Sequence, residues 1–166
     1  MTTPARLPFD PIERAGELWE RHFGPARAMR LVTSVMRVQQ ILLAELDAQL
    51  KPFDLTFARY EVLVLLTFSR AGELPLSKIG ARLMVHPASV TNAIDRLEAQ
   101  GLVQRRPDPA DRRRTFAAVT PAGRRTVAEA TSALTAADFG LRGLDPTQQE
   151  AAYALLRSVR AASGDF

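Results

Sequence analysis

At 166 residues, 46% of them hydrophobic, the chain has enough apolar material for one packed domain with appendages and too much for a disordered one. It has no cysteine, which excludes disulfides, thiolate zinc sites and thiol-based redox sensing; with only His22 and His86 besides, no metal centre or cofactor is expected. The net charge of +4 is unevenly spread, since residues 78–125 hold ten basic and four acidic side chains and the remainder is left at −2. That is the distribution of a protein with one polyanion-binding face, or of one with an arginine-rich solvated surface.

No apolar run approaches the roughly 18 residues that a membrane span needs, and "MTTPARLPFD" lacks the apolar stretch of a secretion signal. The expectation is a cytoplasmic protein with no membrane partner.

The first helix is announced by "FDPIER", with Asp10 as N-cap, Pro11 in the first turn and Glu13 placed to complete a capping box. It should run to about Phe23, with Ile12, Ala15, Leu18 and Trp19 on its apolar face. A long helix follows over about residues 26–50. Leu31, Val35, Val38, Leu42, Leu46 and Leu50 recur at three- and four-residue steps, widened by Met29, Val32, Met36 and Leu43. So broad a stripe on so long a helix points to a dimer interface. Pro52 ends it. Thr56 should cap a helix "FARYEVLVLLTFSRAG" that closes at Gly72 and is apolar nearly all round, as a central buried helix is.

Residues 74–76 read as a short edge strand, and Ser77 as the cap of a short helix carrying Ile79 and Leu83. Pro87 opens a second helix that runs to about Gln100 and stops at Gly101, giving a helix-turn-helix. At about 100° per residue, Val90, Ile94 and Leu97 fall within about 60° and define the core side. The opposite face holds Ala88, Ser89, Asn92, Asp95, Arg96 and Ala99. The small residues allow close approach. Asn can pair bidentately with adenine, Arg with guanine, and Ser can bond bases or phosphates. The competing reading is a merely solvated polar face. His86 is placed to touch phosphate or to cap this helix, the cap being the favoured role, and Ser77 and Lys78 of the preceding helix are further candidate DNA contacts.

Residues 103–106 and 115–119 read as two strands bracketing "PDPADRRR", a β-hairpin with Arg112, Arg113 and Arg114 at its tip. A basic hairpin beside a helix-turn-helix makes a winged helix, whose arginines find their counter-charge in phosphate or in a narrow minor groove. Asp111 is placed to hold one of them. "TPAG" then opens a helix capped by Thr120 and expected to continue to about Phe139. "LDPTQ" repeats the capping box at Asp145 and Gln148 before a last helix expected to bury Leu155, Leu156 and Val159.

The stretch "PASVTNAIDRLEAQGLV", the wing "RRPDPADRRRTFAAVT" with its D-x-R at Asp111 and Arg113, and the following "TPAGR" together resemble the MarR family of bacterial transcription regulators. The likeness spans about residues 28–162 and is most specific over 74–125. It implies a mainly α fold, a winged helix-turn-helix with a two-stranded β-wing and N- and C-terminal dimerisation helices. On that basis residues 1–50 and 126–166 would dimerise and 51–125 would form the DNA-binding lobe.

The resemblance further implies a homodimer on a pseudo-palindromic double-stranded operator. Ser89, Thr91, Asn92 and Arg96 would lie in the major groove and Arg113 in the minor groove, with Asp111 positioning it. A small, often aromatic or phenolic effector would release the DNA. Candidate effector contacts are Trp19, Met29, Val32, Met36, Glu61 and Phe68; core packing explains Met29, Val32, Met36 and Phe68 equally well, and packing at the dimer or lobe junction is the favoured role of Trp19. The absence of cysteine excludes the peroxide-sensing branch. The extra first helix with Trp19, and Glu61, resemble the urate-responsive branch, but Ala93 stands where its ligand-binding arginine would, which argues against urate. A winged helix used only for protein–protein contact is the alternative; its basic, aromatic-poor wing argues against it. A hydrolase finds no nucleophile, base and oxyanion site here.

Overall fold

The computed structural model describes residues 7–108, 110–111 and 114–166. In order, α1 is Pro11–His22, α2 Arg27–Leu50, α3 Phe57–Phe68, β1 Glu73–Pro75, α4 Leu76–Leu83, α5 Pro87–Ala99, β2 Val103–Pro107, β3 Thr115–Val119, α6 Pro121–Ala136 and α7 Pro146–Ala162. The fold is mainly helical with one small antiparallel sheet in the order β1-β3-β2. The chain divides into two compact units, Met1–Glu45 and Leu46–Phe166.

In the first unit the Asp10 carboxylate accepts from the amides of Ile12 (2.8 Å) and Glu13 (3.3 Å), which starts α1. Glu13, expected to complete a capping box, instead receives Arg30 Nη2 at 3.2 Å, while Arg30 Nη1 reaches Glu20. Arg30 thus ties α1 to the start of α2. These bonds hold Glu20 below the ordinary carboxylate range, the hydrogen bond from Arg30 being the largest cause. The expected apolar face of α1 is not covered: of this helix only Gly16 is buried. Along α2 only Leu46 and Leu50 are buried, both in the second unit, and Leu31, Val32, Val35, Met36 and Val38 face solvent.

The core of the second unit is built from Leu50, Tyr60, Leu63 and Leu66, Ile79, Val90, Ile94 and Leu97, Val103, Ala117, Val127 and Leu134. Tyr60 completes its polar end with Thr131 at 2.9 Å, so α3 packs on α6 without an orphaned hydroxyl. Thr56 caps α3 as expected. The helix stops at Phe68, however, four residues before Gly72, because the amide and hydroxyl of Ser69 both close onto the Leu66 carbonyl (3.2 and 2.7 Å). Strand β1 spans 73–75, one residue earlier than its sequence signal, and Ser77 is not the cap of α4. Pro75 holds the N-cap position and makes no side-chain cap bond, so Ser77 lies inside the first turn.

Thr120 caps α6 through Gly123 N (3.0 Å), and its hydroxyl also donates to the Gly101 and Leu102 carbonyls (2.8 and 3.2 Å). One side chain thus joins the end of α5, the start of β2 and the start of α6. Helix α6 ends at Ala136, short of Phe139, because Asp138 and Phe139 both take left-handed backbone (φ 47°) before Gly140. The Asp145–Gln148 capping box forms as expected. The expectation that α7 buries Leu155, Leu156 and Val159 is corrected: no residue of α7 is buried, and Leu155 is 72% exposed. A periodic apolar stripe registers amphipathicity and does not say whether the same chain covers it.

Candidate nucleic-acid interface

Helix α5 carries three stripes, and each has a distinct use. Val90, Ile94 and Leu97 are buried against the core. Ala88, Ser89, Asn92, Arg96 and Ala99 are exposed on the far side. Between them Thr91, Asp95 and Glu98 face the hairpin, where Arg105 of β2 lies along the helix. Its guanidinium reaches Asp95 Oδ1 (2.5 Å), Glu98 Oε2 (2.7 Å) and the Thr91 carbonyl (3.3 Å). The Arg105 amide also donates to Glu98 Oε1 at 2.9 Å. The bond from the Arg105 amide is the largest cause of a lowered Glu98 pKa, and the guanidinium bond adds to it.

Sequence reading placed Asp95 on the open polar face; the structure gives it to Arg105. Thr91 remains exposed, but its hydroxyl donates to the Pro87 carbonyl at 3.1 Å. His86 caps α5, its Nδ1 accepting from Ala88 N at 3.2 Å. Helix α4 carries Ser77 and Lys78, both exposed, and the turn joining it to α5 passes through Met84 in left-handed backbone (φ 51°), a conformation that residue type does not signal.

A groove of about 920 Å³ runs between the start of α3 and the open face of α5, lined by Arg59 and Thr56 on one side and Ser89, Asn92 and Arg96 on the other. Arg59 Nε donates to Thr56 Oγ1 (3.3 Å), which brings a second guanidinium to this groove. Sequence reading missed it, because Arg59 sits on a different helix and carries no motif.

Strands β2 and β3 form the expected hairpin, pairing from Val103↔Val119 to Pro107↔Thr115, so that β2 runs one residue beyond its sequence signal. Of the tip arginines, Arg112 and Arg113 lie outside the described residues. Arg114 is placed: Asp108 Oδ2 lies 3.5 Å from its Nη1, and its guanidinium stands 5.6 Å from the Phe116 ring centroid. Asp108, 8% exposed, also accepts from Ala110 N at 2.9 Å. Among the described residues, then, Asp108 is the acid beside Arg114; the pairing expected of Asp111 is with Arg113, which lies outside the described residues. Asp111 contributes its carbonyl to Arg114 N at 2.9 Å.

The residues considered for an effector fall in both units. In the first, Trp19 is partly exposed and packs on Phe23 (centroids 5.0 Å apart), Met29 is half-buried, and Val32 and Met36 are exposed. In the second, Phe68 is 83% exposed, and burial pushes the Glu61 carboxyl above its ordinary range. Among the described residues no cluster of His, Cys, Asp or Glu is placed to hold a metal, and no helix is long and apolar enough to cross a membrane.

A family model for the MarR family matches residues 57–115, the stretch that holds α3, the helix-turn-helix and most of the hairpin. Sco5413, a MarR family transcriptional regulator from Streptomyces coelicolor, is 57% identical, and its structure superposes over 84% of this chain and 96% of its own with a TM-score of 0.79. The chain belongs to the MarR family. The HTH-type transcriptional regulator YhbI of Bacillus subtilis is 32% identical over 118 residues, 71% of this MarR-family chain and 70% of YhbI. CouR from Rhodococcus jostii RHA1, solved bound to p-coumaroyl-CoA, is 26% identical with a TM-score of 0.68, over 78% of this chain and 90% of CouR. Sco5413 and YhbI are transcriptional regulators, so the family is one of regulators and not of enzymes.

Proposed function

We propose that this MarR-family chain is a homodimeric, sequence-specific DNA-binding repressor, released from a pseudo-palindromic operator by a small aromatic or phenolic ligand. The observation that carries the reading is the division of α5: Val90, Ile94 and Leu97 anchor it, which leaves Ser89, Asn92 and Arg96 open beside a hairpin. Asn92 and Arg96 read base edges, Ser89 and Thr91 flank them, and Ser77, Lys78, His86 and the close-approach residue Ala88 meet the backbone. Arg112, Arg113 and Arg114, with Asp111, extend the grip through the wing. Residues 51–125 form the DNA-binding lobe. Residues 1–50 and 126–166 supply dimerisation helices, a reading supported by the exposed apolar residues of α2 and α7.

The ligand-released state is supported by the ligand-bound relative CouR. Candidate contacts are Trp19, Met29, Val32, Met36, Glu61 and Phe68. Trp19 is the only tryptophan, so its fluorescence reports on ligand binding directly. The alternative of a pure protein–protein module is disfavoured by an open α5 face with no aromatic anchor.

The test uses a duplex that the protein itself enriches from a random-sequence pool. Asn92→Ala and Arg96→Ala should each reduce the preference for that duplex over random DNA by about 1–3 kcal/mol, while Lys78→Ala weakens both equally. Equal losses on both duplexes for Asn92→Ala would remove it from base reading. Affinity should fall steeply with salt, by about 0.9 log units per log unit of salt for each phosphate neutralised.

A further inference from the structure

We infer that Arg105 is a positioning residue for DNA recognition: it fixes the wing against the recognition helix and masks the two acids of that helix from the DNA backbone. The inference rests on the proposal that α5 and the hairpin grip DNA. Helix α5 contains two acids, Asp95 and Glu98, and one base, Arg96. By itself it would bring a net negative charge to a polyanion, within the roughly 10 Å over which charges are felt at moderate salt. Arg105 contacts both acids and restores neutrality.

The same contacts set geometry. Arg105 pairs with Ala117 in the hairpin, just before the strand ends at Pro107. Its guanidinium reaches Asp95, Glu98 and the Thr91 carbonyl, while its amide is bonded to Glu98. These acceptors lie at successive turns of one side of α5, so the strand is pinned along the helix and not at a single point. A planar, forked guanidinium can serve several acceptors at fixed angles, whereas a lysine ammonium is a point charge on a flexible stem. Lysine at this position would therefore keep the charge and lose the angle.

That difference provides the test. Binding of wild type and Arg105→Lys is measured on the duplex enriched by the wild type and on a random duplex, over a salt series, alongside thermal unfolding. Arg105→Lys should bind the enriched duplex roughly tenfold more weakly, the scale of a charge-assisted forked contact. On random DNA it should stay near wild type, with an unchanged salt slope.

Arg105→Met, which keeps the aliphatic stem, should lose affinity on both duplexes. Adding Asp95→Asn and Glu98→Gln to it should restore binding to random DNA but not to the enriched duplex. Wild-type affinity of Arg105→Lys for the enriched duplex would overturn the inference. So would an equal loss on both duplexes with a salt slope shallower by about one contact, which would make Arg105 a phosphate ligand. A fall in binding matched by a fall in melting temperature, and absent at a temperature where the variant is folded, would reduce it to a structural residue. If the wild type enriches no duplex, the DNA reading itself fails, an outcome separate from any behaviour of the variants.

Discussion

Gly123→Ala offers a test in which the sign of the effect decides. In an open helix, replacing glycine by alanine stabilises by about 0.5–1 kcal/mol. At position 123 a methyl would overlap the Leu102 carbonyl oxygen and lie 2.9 Å from Val119 Cγ2 and 3.2 Å from the Leu102 carbonyl carbon. A backbone carbonyl cannot swing aside as a side chain can. This one also accepts from Thr120 N at 3.0 Å and Thr120 Oγ1 at 3.2 Å, so any retreat weakens the cap of α6.

Overpacking costs about 1–3 kcal/mol and a weakened cap up to about 1 kcal/mol. Less the alanine gain, the net is a loss of up to about 3.5 kcal/mol, with a central value of about 2 kcal/mol. For a chain of this size a loss of about 2 kcal/mol lowers Tm by about 4–8 °C. The measurement is thermal unfolding by circular dichroism at fixed protomer concentration, since association also shifts Tm. Gly16→Ala is the control. The nearest atoms its methyl would meet belong to the guanidinium of Arg30, with Cζ at 2.5 Å and Nη2 at 2.7 Å. That flexible end can move at the expense of exposed ion pairs worth about 0–1 kcal/mol, so the Tm should hardly change. A Gly123→Ala protein as stable as wild type, or more so, would refute the docking of α6 described above.

Two carboxylates should respond to pH in opposite directions. Glu98 is held below its ordinary range, chiefly by the Arg105 amide, so its contribution is present above the unfolded-state pKa and is lost as pH falls through the folded value. Glu61 is raised by burial, so its contribution is present at low pH and is lost as pH rises through the folded value. In urea titrations from pH 7 down to pH 3, Glu98→Gln should therefore start less stable than wild type and close the gap, while Glu61→Gln should start relatively favoured and fall back; parallel curves would contradict both assignments. The exposed Leu155 and Leu156 of α7 should lie in the dimer interface. Changing both to Ser should shift sedimentation from dimer to monomer at micromolar concentration while α5 stays folded, and an intact dimer would exclude this helix from the interface.

What the sequence made legible was local. Asp10, Thr56, His86, Thr120 and Asp145 are N-caps in the structure, because a cap is a bond between a side chain and amides two or three residues away. The core side of α5 followed from periodicity, and the hairpin from two β-rich segments around a turn. Missed features depended on competition or on distance in space. Ser69 ends α3 early by bonding back to Leu66, Pro75 takes the cap position from Ser77, and left-handed backbone at Asp138 and Phe139 halts α6.

The identity of charge partners was the least legible. Asp108, to which the sequence reading gave no role, is the acid beside Arg114. Asp95, read as part of an open face, is occupied by Arg105 from the following strand. Residue type announces that a charge needs a partner, but only the folded register of β2 beside α5 says which one. The apolar faces of α2 and α7 follow the same logic at a larger scale: their stripes show that something apolar is sought, and the stripe itself does not say what covers it.

The central claim is that two copies of α5 enter successive major grooves of one duplex. Hydroxyl-radical footprinting of the enriched duplex, with stoichiometry from sedimentation, tests it most directly. The account predicts two protein chains per duplex and two symmetric protected clusters centred one helical turn apart, about 10–10.5 base pairs. One chain on a single protected segment, or uniform weak protection without symmetry, would contradict it.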